Sequence, residues 1–141
     1  MTDIYAAIGP TEPDDAIRTA ATAFAADAAI TGLSMRCVGA GGSRAVFERG
    51  VRAVGGEHVA QFPTSSAQGL EYASRYTPGW DVLDSESKCV AAGHVLVLLG
   101  SFLDRPARFV VGWDFPPLII MVAALNGIPL YDLSRGEMSP L

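Results

Sequence analysis

Apolar and polar positions alternate in blocks along the chain, and the blocks change period. Ile4 to Ile8 is a short apolar run closed by Gly9-Pro10, the pattern of a buried strand and its exit turn. Thr11, three residues before Asp14, resembles a helix N-cap with an acidic first turn. From Asp14 to Ile30 alanines and Ile17 and Phe24 recur near helical spacing, and Gly32 is placed to stop that helix. Leu33 to Val38 reads as a second strand, Gly39 to Ser43 as a glycine-rich turn, and Arg44 to Val54 as a second helix stopped by Gly55-Gly56. His58 to Phe62 is a third strand closed by Pro63.

The pattern then loosens. Thr64 to Ser85 is polar and carries Gly69, Pro78 and Gly79, which predicts a loop with at most one helical turn. Ser87 to Leu99 is long enough for a helix, although Val95-Leu96-Val97-Leu98 alone fits a strand. Arg108 to Trp113 is a fourth strand. Asp114 to Pro117 is a turn with proline near a helix start, Leu118 to Leu125 a helix capped by Asn126-Gly127, and Ile128 to Leu133 a last strand. This alternation predicts α/β: a single domain over residues 1–141, a doubly wound, Rossmann-like parallel sheet of about five strands with helices on both faces. Ligands of such sheets sit beyond the carboxyl ends of the strands, which singles out the loops Gly9 to Pro13, Gly39 to Arg44 and Asp114 to Pro117.

Composition narrows the function classes. At 141 residues, half of them hydrophobic and 18% charged, the chain needs no disulfide or metal staple to form a core. Cys37 and Cys89 lie far apart and read as reduced, buried thiols of a cytosolic protein; with only His58 and His94 besides, no metal site is expected. No basic segment precedes an apolar run at the start, so no signal peptide is expected. The longest apolar stretch, Phe115 to Leu125, is too short for a membrane span. A net charge of -5, with nine dispersed arginines and one lysine (Lys88), argues against a nucleic-acid surface.

The Gly39-to-Arg44 turn carries the candidate chemistry. Glycines let backbone N–H groups approach a ligand, the following helix N-terminus favours anions, Ser43 adds a hydroxyl and Arg44 a cation suited to phosphate. A cation at a helix N-terminus opposes the helix dipole, a hint that Arg44 meets an anion. The same glycines also suit a tight, empty turn. No Gly-Lys-Ser/Thr phosphate loop and no nucleophile triad is present, so no catalytic residue and no cofactor is assigned. Trp113 could stack on a base, but buried strand packing is the commoner fate of such a residue. Asp114 could face a ligand or cap the next helix; Glu48 suits a helix-face role at least as readily as a catalytic one, and His94 a core or interface role rather than that of a base.

Three segments together resemble a family. Ile8-Gly9-Pro10-Thr11-Glu12-Pro13, the run from Arg36 through Gly39-Ala40-Gly41-Gly42-Ser43-Arg44 to Phe47-Glu48-Arg49-Gly50-Val51, and Asn126-Gly127-Ile128-Pro129-Leu130-Tyr131-Asp132-Leu133 are similar to the SLOG superfamily. This is the Rossmann-like group of the DNA-processing-A and LONELY GUY proteins, with small stand-alone members in phages and bacteria. The resemblance implies a nucleotide-derived ligand held by Gly9, Thr11, Gly39, Gly41, Gly42, Ser43, Arg44 and Asp114. Several family groups are replaced: the arginine after the first strand is absent, Ala91-Ala92-Gly93-His94 stands where His-Ala-Arg-Asn is common, and Asp114-Phe115-Pro116-Pro117 replaces a Gly-Gly-Thr loop. The expectation is therefore a degenerate module that binds a phosphate-bearing nucleotide derivative without catalysis. The alternative is a scaffold acting through protein contacts, as a homo-oligomer or part of an assembly such as a phage particle. A phosphoribohydrolase ranks third. The expected location is the cytoplasm, or host cytoplasm or virion for a phage protein.

Overall fold

The computed structural model describes residues 3–37, 42–56, 59–61 and 66–135. In chain order it contains β1 (Ile4–Ile8), α1 (Asp15–Ile30), β2 (Ser34–Cys37), α2 (Gly42–Ala53), β3 (Val59–Gln61), α3 (Ala67–Tyr76), α4 (Ser85–Leu99), β4 (Val110–Gly112), α5 (Pro117–Leu125) and β5 (Leu130–Asp132). Short 3-10 turns at Trp80–Val82 and Leu133–Arg135 complete it. The strands pair in the order β3-β2-β1-β4-β5, every pair parallel. The strands β2, β1, β4 and β5 carry the core side chains among the described residues.

Each central strand is buried on both faces, which is why it reads as a continuous apolar run. Tyr5 and Ala7 of β1 face a core shared with α1 and α2, while Ala6 and Ile8 face a second core with α3, α4 and α5. The first core is built on small residues. Ala21, Ala25, Ala28 and Ala29 of α1 are buried, and a β-carbon at Gly50 of α2 would lie 2.2 Å from the carbonyl oxygen of Thr22. The alanine run and the glycine therefore let two helices approach closely over the sheet. Phe24, Tyr5, Phe109 and Tyr131 meet as an aromatic cluster at the other end of that core.

Local signals set most boundaries. Asp14, not Thr11, caps α1: its Oδ1 accepts from the Ile17 amide at 2.8 Å. The expected loop over 64–85 is corrected, because α3 occupies ten of those residues. Ser66 caps it by accepting from the Gly69 amide, and Gly69 lies where a β-carbon would come within 3.1 Å of the Ala92 carbonyl. A glycine that reads as a breaker is thus the contact point between α3 and α4. The ambiguous segment resolves as the helix α4, capped by Asp84 on the Ser87 amide at 2.7 Å and ended at Gly100 with φ +89°. Pro116 and Pro117 open α5, and no side chain caps it, so Asp114 is not its N-cap.

Cys37 is buried but Cys89 is only partly so. Burial pushes the Cys37 thiol up to about 11, which keeps it protonated and unreactive at neutral pH. Arg36 of β2 is a buried cation that composition alone does not reveal. Its Nη2 donates to the Arg105 carbonyl at 2.7 Å, tying β2 to the turn that leads into β4. Among the described residues no helix is long and apolar enough to cross a membrane, and no group of three metal-ligating side chains comes together.

Candidate functional site

The order β3-β2-β1-β4-β5 reverses direction between β1 and β4, so the crevice for a ligand opens beyond their carboxyl ends. Gly9, Thr11 and Asp114 do converge there. Gly39 and Gly41 lie outside the described residues, and Gly42 and Ser43 are described as the backbone that opens α2. That helix begins two residues earlier than the pattern predicts.

What occupies the crevice is an indole. Trp113, the residue after β4, is 1% exposed and stacks on Phe47 of α2 with ring centroids 5.7 Å apart. Its Nε1 donates to the Thr11 carbonyl at 2.9 Å. A β-carbon at Gly9 would lie 2.4 Å from the indole, so the glycine is required by this ring, and the room it leaves is filled from within. Gly9 therefore has a packing role at the position expected for ligand approach. Gly112 has a similar role in the strand below, where a β-carbon would overlap the Ile8 carbonyl oxygen.

Above the indole the two loops are tied together. Thr11 Oγ1 donates to Asp114 Oδ2 at 2.5 Å, an exposed bond between residues 103 positions apart. Asp114 adopts φ +49°, a left-handed conformation that Asp tolerates better than most residues, and this turns its carboxylate back toward the first loop. Both residues are thus engaged with each other at the position expected for ligand contact.

Arg44 stands in the first turn of α2, and its Nε donates to Glu48 Oε1 at 2.6 Å. Glu48 also lies 3.7 Å from Arg52. The sequence reading paired Arg44 with an external anion; the structure supplies an internal carboxylate at i+4, which satisfies the same charge. About one-fifth of the Arg44 side chain remains exposed. Packing was one of the roles open to Trp113, but its partner Phe47 was not visible in the pattern, since their stacking joins β4 to α2 across more than sixty residues.

His94 is held on α4 in apolar surroundings, and burial lowers its pKa to about 4. It is half-buried and neutral at pH 7. An open concavity of about 210 Å³ lies against α3, lined by Gln68, Glu71, Tyr72, Arg75 and Leu103. Glu71 and Arg75 pair there at 2.6 Å, largely exposed to solvent.

No protein-family model matches the chain, and neither does any curated protein or solved structure.

Proposed function

We propose that this chain is a non-catalytic, Rossmann-like module that acts through protein contacts. The observation that carries this reading is the Trp113 indole seated beneath Gly9 at the β1/β4 switch point. A nucleotide phosphate entering there would have to displace a buried aromatic ring, its hydrogen bond to Thr11 and the Thr11–Asp114 tie. Burying an aromatic side chain contributes on the order of 2–3 kcal/mol, so the ring competes with any ligand for that space. Arg44, the cation expected to meet a phosphate, is already paired with Glu48.

A second reading keeps the nucleotide ligand. The specific feature favouring it is the start of α2, where Gly42-Ser43-Arg44 opens the helix with no acidic residue in its first turn and with Arg44 partly exposed. The SLOG resemblance points the same way. A thermal-shift series with AMP, NAD and ADP-ribose separates the two. A ligand present at 100 times its Kd stabilises by about 2.7 kcal/mol, which moves Tm by several degrees in a domain of this size. The protein-contact reading predicts no shift. A selective shift that disappears in Arg44→Glu overturns it in favour of the ligand.

A further inference from the structure

We draw no further inference here: the strongest candidate, the exposed apolar stripe of α5 formed by Ile120, Met121 and Leu125, is an unpartnered helix face, and nothing in the structure shows what covers it.

Discussion

A methyl group added at position 9 would lie 2.4 Å from the nearest indole carbon of Trp113, so Gly9→Ala must displace either the ring or the loop that covers it. Overpacking of this kind costs about 1–3 kcal/mol, and the expected result is a Tm lower by roughly 4 °C per kcal/mol, read by calorimetry. Thr11→Val removes the donor to Asp114 without changing side-chain size, and Asp114→Asn keeps the tolerance for a positive φ while weakening the acceptor. Both are expected to melt within about 1 kcal/mol of the parent, because the bond is exposed, yet to expose Trp113 to a soluble quencher. A fluorescence signal unchanged in both variants would show that the loop tie does not hold the indole. At this scale residue types were legible and their partners were not. Gly9, Ser43 and Arg44 are the residues a phosphate site would use, but Gly9 accommodates a ring 104 positions away and Arg44 meets a carboxylate one turn further along its own helix. Sequence spacing shows the second only as a possibility and the first not at all.

Helix caps and breakers show the same division at the scale of elements. The strands and the helices α1, α2 and α5 announce themselves through apolar periodicity and terminal glycines, with Gly32, Gly55 and Gly127 all at positive φ where a stop was expected. The helix α3 was hidden because its polar outer face and Gly69 resemble a loop, and the reason for that glycine is the Ala92 carbonyl of another helix. For α4 the decisive signal is Asp84, whose pKa is lowered by the Ser87 amide that it accepts from. Asp84→Ala is expected to lower the urea midpoint of unfolding by removing this cap. His94 makes the same helix sensitive to acid. Its folded pKa, about 4, is below its unfolded value near 6.5, so the unfolded chain takes up the proton first. The contribution of neutral His94 is complete above pH 6.5 and is lost progressively as pH falls to about 4. Urea midpoints measured from pH 7.5 to 4.5 should therefore fall less steeply in His94→Leu than in the parent; parallel slopes would remove His94 as the cause.

For the molecule as a whole, the parallel sheet with helices on both faces follows from alternating blocks of short apolar strands and amphipathic helices, and the structure realises that order. What the pattern could not supply is the content of the switch point. Whether a doubly wound sheet holds a ligand depends on the volume left between the ends of β1 and β4, and that volume is limited by Trp113 stacking on Phe47, residues 66 positions apart in sequence. One indole therefore decides whether the switch point is free for a ligand. A chain carrying Trp80→Phe leaves Trp113 as its sole tryptophan. Acrylamide quenching of that chain, with and without millimolar AMP, NAD or ADP-ribose, tests the occupancy of the crevice directly. The account predicts blue-shifted emission, low quenching and no response to any nucleotide. Emission that is readily quenched, or that changes on saturable addition of a nucleotide, would contradict it and return the site to a ligand.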